Sequence, residues 1–284
     1  MRIVVASGKG GTGKTTVATS LALVAAEQEP VRFMDCDVEA PTAGLFLDPA
    51  LETRKEVGIL IPQVDESTCT FCGKCSEVCQ FHAIAVIGKK TLVFPELCHG
   101  CGSCTLVCPE NAISEQLDVM GVLESGPAAQ GIDFAQGVMN VGEPMAVPII
   151  RELKKWETTG MAAIEIRDAP PGASCPVVET VRGADFVMLV TEPTPFGLHD
   201  LKQVAAITRE LGLPTGVIIN RDGIGDNAVE TYCNENGLPI LMRIPMERRI
   251  AEAIARGKSL VESIPEYRPQ FQTMLETIVA EADA

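Results

Sequence analysis

The chain has 284 residues, enough for one large domain or two smaller ones with a sizeable hydrophobic core. Hydrophobic residues make up 46% of it and aromatic residues only 4%, a balance typical of an α/β protein rich in Val, Ile, Leu and Ala. The 38 acidic and 23 basic side chains give a net charge of −15, which disfavours nucleic acid or anionic lipid as a partner.

The first elements predicted along the chain are a strand, a glycine-rich loop, a helix and a second strand. The apolar segment Arg2–Ala6 runs into the loop Gly8–Thr15, and a helix is predicted from about Lys14 to Gln28. The second strand, Val31–Met34, ends at Asp35-Cys36-Asp37. We see neither an export signal nor an apolar run of roughly 20 residues, so we expect a cytoplasmic protein.

The glycine-rich loop matches the phosphate-binding pattern G-x4-G-K-[ST]. Its glycines let backbone N–H groups point at phosphate oxygens, and the following helix adds its positive end. Lys14 is expected to neutralise the β and γ phosphates, and the Thr15 hydroxyl to ligate Mg²⁺. The loop residues predicted to contact the nucleotide are Gly8, Gly10, Gly11, Thr12, Gly13, Lys14, Thr15 and Thr16.

Two cysteine blocks follow, each with the spacing C-x2-C-x2-C-x3-C. Their members are Cys69, Cys72, Cys75 and Cys79, then Cys98, Cys101, Cys104 and Cys108. Such tight spacing suits a shared metal centre better than disulfides. Zinc is the alternative metal, but a zinc ribbon would leave two cysteines of each block unused. Similar tails after both blocks, 82–84 and 111–113, indicate a duplicated module, predicted at 62–115, that interrupts a larger domain at 1–61 and 116–284.

Beyond Gln116 strands and helices alternate again. The predicted strands are Val119–Glu124, Ala162–Arg167, Phe186–Val190, Val217–Asn220 and Ile240–Ile244. The predicted helices are Pro144–Trp156, Cys175–Arg182, Gly197–Leu211, Asn227–Asn236, Arg248–Arg256 and Gln270–Ala284. This alternation predicts an α/β fold with a mostly parallel sheet covered by helices on both faces.

The loop with its early lysine, Lys9, resembles the deviant Walker A loop of the MinD/Mrp/ParA family, in the superfamily of nitrogenase iron protein. The resemblance implies a P-loop ATPase that forms a homodimer on binding ATP, with Lys9 reaching the partner's nucleotide. Asp35-Cys36-Asp37 resembles the family's switch I. By this resemblance Asp37 would orient or activate the attacking water, and Asp35 would support Mg²⁺.

Two later segments extend the resemblance. The segment 168–172, after an apolar strand, resembles Walker B and switch II, so Asp168 would act on Mg²⁺ through water and the Gly172 amide would sense the γ-phosphate. Asn220-Arg221 is similar to the adenine-contacting segment, with Pro245 near the base. The catalytic residues that the resemblance implies are Lys9, Lys14, Asp37 and Asp168.

Each cysteine block resembles the two-cluster bacterial ferredoxin pattern C-x2-C-x2-C-x3-C-P, in which the fourth cysteine serves the other cluster. The resemblance implies a small α+β ferredoxin-like insert with two [4Fe–4S] clusters. One would be held by Cys69, Cys72, Cys75 and Cys108, the other by Cys98, Cys101, Cys104 and Cys79. The pattern's proline is present as Pro109 but replaced by Gln80 after the first block.

Three cysteines lie outside the blocks. Cys36 and Cys233 are expected to be small core residues. Cys175 has the relative position of a cluster ligand in nitrogenase iron protein. A dimer with only this cysteine would supply two thiolates where a cube needs four, so we do not expect a bridging cluster.

These features predict an ATPase whose ATP-dependent dimerisation is coupled to electron transfer through two [4Fe–4S] clusters to a redox partner. ATP or ADP and Mg²⁺ are the other expected cofactors, and hydrolysis is expected to be slow without the partner. Two alternatives stay open. One is an iron–sulfur carrier that loads clusters onto apo-proteins, and the other is a MinD-like positional switch with structural clusters.

Overall fold

The computed structural model describes residues 1–156 and 162–282. The strands in this part of the chain are β1 (Arg2–Ser7), β2 (Val31–Asp35), β3 (Thr53–Val64), β4 (Ile84–Val86), β5 (Thr91–Val93), β6 (Ile113–Pro127), β7 (Asp133–Met139), β8 (Ile164–Pro171), β9 (Phe186–Thr191), β10 (Thr215–Asp222) and β11 (Ile240–Pro245). The α-helices are α1 (Lys14–Ala25), α2 (Gly44–Leu47), α3 (Lys74–Val78), α4 (Ser103–Leu106), α5 (Val147–Lys154), α6 (Cys175–Val181), α7 (Pro195–Glu210), α8 (Ala228–Glu235), α9 (Arg248–Ala255), α10 (Leu260–Ser263) and α11 (Arg268–Ala282).

Nine strands form one sheet in the order β11-β10-β9-β1-β8-β2-β7-β6-β3. Pairing is parallel from β11 to β7 and antiparallel where β7 meets β6 and β6 meets β3. Successive residues of β1 point to opposite faces: Ile3 and Val5 enter one hydrophobic core, and Val4 and Ala6 enter another. The predicted α/β fold, a mostly parallel sheet with helices on both faces, is confirmed.

The elements predicted beyond Gln116 are all present, most of them within a few residues of their predicted bounds, but β6 begins at Ile113, six residues before the predicted Val119. Ala284 and its neighbour lie outside the described residues. The first helix ends at Ala25, before the predicted Gln28, in a turn made by residues 26–28. Strands β3 and β7 were missed. No helix among the described residues has the length and apolar character needed to cross a membrane.

Strands β3 and β6 form a long antiparallel ribbon that carries the cysteine-rich segment at its far end. Pairing runs from Thr53 opposite Ser125 to Val64 opposite Ile113, through both predicted domain boundaries. One bulge interrupts it at Gly58. A Cβ there would lie 1.7 Å from the carbonyl oxygen of Asp118, so the ribbon closes only over a glycine.

Candidate functional site

The glycine-rich loop lies at the carboxyl end of β1, between two parallel neighbours, β8 and β9. Gly13 has a φ of +90°, and a Cβ there would lie 2.3 Å from Nδ2 of Asn220. The same amide donates a 2.6 Å hydrogen bond to the carbonyl oxygen of Thr12. Asn220, predicted as an adenine contact, thus also holds the loop in place from β10.

Lys14, Thr15 and Asp168 are brought together as one buried cluster. The Lys14 ammonium donates to Oδ1 of Asp168 at 2.6 Å, and the Thr15 hydroxyl donates to Oδ2 at 2.6 Å. Burial acts to lower the pKa of Lys14, but the charge and hydrogen bond of Asp168 together with the charges of Asp35 and Asp37 outweigh it, and the pKa is raised. The lysine therefore stays protonated, as a phosphate clamp requires.

Asp35 and Asp37 lie at the end of β2, beside this cluster. The fully buried carboxylate of Asp35 accepts hydrogen bonds from the backbone N–H groups of Asp37, Thr42 and Ala43 at 2.9–3.1 Å. Burial and the charge of Asp168 raise the pKa of Asp35 to about 7. Burial also raises the pKa of Asp37. Crowded carboxylates near a threonine hydroxyl are the hard oxygen ligands that Mg²⁺ prefers, so the donor set fits that ion.

A third charged cluster joins the loop to β9 and β10. The Lys9 ammonium is ion-paired with Oε1 of Glu192, and NH1 of Arg221 lies 2.9 Å from Oε2 of the same carboxylate. NH2 of Arg221 donates to the carbonyl oxygen of Gly11 at 2.9 Å. Glu192 was missed in the sequence, although it directly follows the apolar strand that neighbours β1.

A cavity of about 670 Å³ opens over the loop. It brings together most of the predicted nucleotide contacts: its lining includes the loop from Lys9 to Thr16, Asp37, Asn220, Arg221 and Pro245. Its apolar wall was not predicted and is formed by Leu45, Phe46, Met246, Ile250 and Ile254. Such a wall with polar groups at one end suits a flat base attached to phosphates.

Two polar groups near the phosphate loop differ in whether their hydrogen bonds are satisfied. The Gly172 N–H, predicted to sense the γ-phosphate, donates to the carbonyl oxygen of Ser7 at 2.9 Å. The hydroxyl of Thr12 is buried and has no hydrogen-bond partner within the described residues. An unmet buried hydroxyl costs about 1–3 kcal/mol, so the loop would gain from a new acceptor such as a phosphate oxygen.

The eight cysteines of the two blocks surround two small cavities. One is lined by Cys69, Cys72, Cys75 and Cys108, and the other by Cys79, Cys98, Cys101 and Cys104. These are the two sets that the ferredoxin resemblance implied, each with its fourth cysteine taken from the other block. All eight thiols are free of disulfides.

Backbone amides approach four of these sulfurs in matching pairs. The sulfurs of Cys69 and Cys98 accept N–H bonds from the residues two positions later, both at 3.4 Å. Those of Cys79 and Cys108 accept from the residues four positions later, both at 3.3 Å. N–H donors stabilise thiolates and tune clusters. As placed, no group of three or more His, Cys, Asp or Glu side chains in 1–156 and 162–282 could hold a single metal ion.

Of the three remaining cysteines, two lie in the core, as expected, and the third is exposed. Cys36 and Cys233 are buried, and burial raises the pKa of these thiols to about 12 and about 11. Cys175 is exposed at the start of α6. His99, beside the second cavity, stacks on Phe81 with ring centroids 3.7 Å apart.

Comparison with known proteins accounts for the nucleotide site. The sequence pattern of the CobQ/CobB/MinD/ParA nucleotide binding domain matches residues 3–261. The chain belongs to this family. It is accordingly a P-loop ATPase of the MinD/ParA type, and the deviant Walker A resemblance is confirmed at the level of the family.

Relatives of this MinD/ParA-type ATPase include proteins of both known and unknown role. It is 30% identical over 263 residues to the uncharacterized protein MJ0579 of Methanocaldococcus jannaschii, covering 92% of each chain. It is 24% identical over 280 residues to the iron-sulfur cluster carrier protein of Aquifex aeolicus, covering 93% of this chain and 62% of that one. The septum site-determining protein MinD of Pyrococcus horikoshii, solved with Mg-ADP, superposes with a TM-score of 0.58 at 20% identity, covering 98% and 95%.

Proposed function

We propose that this ATPase uses ATP-dependent dimerisation to control electron transfer through two [4Fe–4S] clusters held by its cysteine-rich segment. The observation that carries the proposal is that eight cysteines line two cavities, four cysteines to each. Both cavities lie at the end of the β3–β6 ribbon, which is part of the nucleotide-binding sheet.

The proposed nucleotide chemistry follows from the clusters around the loop. Lys14 would clamp the β and γ phosphates, and the oxygens of Thr15, Asp35 and Asp168 would hold Mg²⁺. Asp37, which lines the cavity and whose burial raises its pKa, orients the attacking water. Asp168 contacts both Lys14 and Thr15, so the groups that would meet phosphate and Mg²⁺ lie together.

The proposed dimer places Lys9 on the nucleotide of the partner subunit. Lys9 lines the cavity and its side chain is 33% exposed, so it can reach outward without unfolding the loop. A second positive charge on the phosphates would stabilise the transition state of phosphoryl transfer.

The cysteine cavities fit clusters better than single ions. A four-iron cube is wider than one ion, so its ligands must surround a cavity and not converge on one point. Each cavity has four free thiols and two amide donors aimed at sulfur. When bound, the clusters would supply one-electron transfer, and the thiols with their amide partners would hold them and set their potential.

Switch I is linked to the ribbon by backbone hydrogen bonds, which supports coupling between nucleotide and clusters. Val38, the residue after Asp37, accepts a 2.8 Å bond from the N–H of Met139 at the end of β7. The next residue, Asn140, donates its N–H to the carbonyl oxygen of Met120 in β6 at 2.8 Å. Strand β6 begins at Ile113, directly after the cysteine-rich segment that ends near Cys108.

Anaerobic purification followed by iron and sulfide counting, together with sedimentation in ATP and in ADP, tests the proposal. We expect eight irons and eight sulfides per chain, monomers in ADP and dimers in ATP. Zinc in place of iron, or a chain that stays monomeric in saturating MgATP, would contradict it.

A cluster carrier is the second candidate, favoured by the similarity to the Aquifex aeolicus carrier protein. A carrier should give up ⁵⁵Fe-labelled clusters to an apo-ferredoxin in an ATP-dependent manner. An electron-transfer protein should retain its label through several cycles of reduction and reoxidation, so the same labelled sample separates the two functions.

A further inference from the structure

We propose that Glu192 is a positioning residue that retains Lys9 in its own subunit, so that Lys9 must leave Glu192 before two subunits can join around ATP. This inference rests on the proposed function, because it concerns the lysine that would act on the partner's nucleotide. Glu192 lies outside every sequence motif, and the ion pair with Lys9 is the contact that reveals it.

The backbone around Glu192 is fixed by a tight connection between β9 and α7. The carbonyl oxygen of Glu192 accepts the N–H of Thr194 at 2.8 Å, and a Cβ on Gly197 would lie 2.1 Å from that oxygen. The Thr191 hydroxyl donates to the carbonyl oxygen of Gly197 at 2.9 Å. The carboxylate therefore stays in place while Lys9, on a flexible four-carbon chain, is free to move.

The second partner of Glu192 makes release of Lys9 feasible. Removing one member of a buried ion pair is normally expensive, because it leaves the other charge uncompensated. Here Glu192 keeps Arg221, whose NH1 lies 2.9 Å from Oε2 and whose NH2 is anchored on Gly11. A single buried carboxylate shared by two cations can thus lose one of them and remain paired.

The two side chains of the ion pair differ in exposure, and the more exposed one is Lys9, the residue that must leave. The side chain of Glu192 is 7% exposed, whereas that of Lys9 is 33% exposed and lines the cavity. On departure the ammonium gains phosphate oxygens of the partner's nucleotide as its new partners. Glu192 then sets how much ATP is needed for the exchange.

The nucleotide concentration needed for Lys9 to leave Glu192 is measured through nucleotide-dependent dimerisation. Dimer fraction would be followed by sedimentation velocity during titration with MgAMP-PNP, which is not hydrolysed. Glu192→Gln keeps the shape and an acceptor oxygen but loses the charge. We expect its midpoint concentration to fall by ~5-fold, the value of a partly exposed ion pair. The matched control, Glu210→Gln, removes the same charge from the exposed end of α7 and should leave the midpoint unchanged.

Two further variants separate this role from general damage to the fold. Lys9→Ala and Lys9→Ala/Glu192→Gln should dimerise equally poorly, because Glu192 acts through Lys9. Glu192→Asp should move the midpoint back toward the wild-type value. Thermal melting without nucleotide verifies that each variant is folded.

The outcomes for the inference and for the proposed function are distinct. An unchanged or raised midpoint in Glu192→Gln, with a dimerising wild type, overturns the inference alone. Dimers in Glu192→Gln but not in the wild type would support it, since the retaining contact would then be too strong. Monomers throughout would overturn both.

Discussion

The ammonium of Lys14 lies 2.6 Å from Oδ1 of Asp168, and this contact joins the phosphate loop to the end of β8. Thr15 donates to the other oxygen of the same carboxylate. The groups expected to hold phosphate and Mg²⁺ are therefore hydrogen-bonded to one another. MgATP would contact the same side chains. Because Asp168 lies on β8, binding would act on the strand that leads to Gly172.

Removal of Lys14 should affect both binding and stability. We predict that Lys14→Ala loses detectable ATP binding and lowers the free energy of unfolding of the free protein by about 3 kcal/mol, because a buried charge loses its partner. Urea denaturation and isothermal titration measure the two effects. Lys258→Ala, at an exposed position, should change the free energy of unfolding by less than about 0.5 kcal/mol. A similar result for both variants would refute the buried cluster.

Asp35 should make the metal-free protein less stable as the pH rises. Its pKa is raised from 3.8 to about 7, so the folded state favours the protonated form. That contribution is fully present below about pH 4 and is lost as the pH rises through about 7. In EDTA, the wild type should lose about 2 kcal/mol more than Asp35→Asn across this range. If the free energies of unfolding of the two proteins changed with pH by the same amount, the raised pKa of Asp35 would be contradicted.

Asp37 should be needed for hydrolysis but not for ATP binding. Because a positioned base or orienting carboxylate contributes about 100-fold or more, Asp37→Ala should lose that factor in kcat while it still binds ATP and dimerises. Steady-state phosphate release and sedimentation provide the two readouts. Glu39→Gln, an exposed neighbour, is the control and should keep its kcat. Full activity in Asp37→Ala would remove Asp37 from the mechanism.

Pairs of cysteine variants should reveal which thiols share a cluster. Cys72→Ser combined with Cys108→Ser should retain about four irons, because both thiols line the first cavity. Cys101→Ser combined with Cys108→Ser should lose both clusters, since these thiols line different cavities. Cys233→Ser, in the core, should keep the full iron content. The reverse result, with about four irons retained in the Cys101/Cys108 double variant and none in the Cys72/Cys108 double variant, would mean that the blocks do not exchange their fourth cysteines.

The sequence was most informative where local chemistry dictates structure. The loop needs glycine at residue 13 because φ there is +90° and Asn220 approaches it from β10. Strand–helix alternation predicts a parallel sheet without further information. The two sets of cysteines that line the cavities are those that the ferredoxin resemblance implied. The nucleotide loop and the cysteine segment were therefore both recognisable before any coordinates.

Features that depend on long-range pairing were not predictable. Strand β3 has exposed residues on much of its length and is stabilised by β6, some 50 or more residues later in the sequence, so it has no strong hydrophobic period of its own. Glu192 carries no motif, and only the approach of β9 and β10 to the loop gives it two cationic partners. The apolar wall with Met246 and Ile250 likewise arises from α9 folding over the cavity.

The most direct measurement is the EPR spectrum of the dithionite-reduced, anaerobic protein in MgATP and in MgADP, with Lys14→Ala as the non-binding control. We predict that the cluster signals of the wild type change in line shape or in the potential at which they appear when ATP replaces ADP, and that those of Lys14→Ala do not. Identical spectra for the wild type in both nucleotides, with ATP-induced dimers present, would contradict coupling between γ-phosphate and clusters.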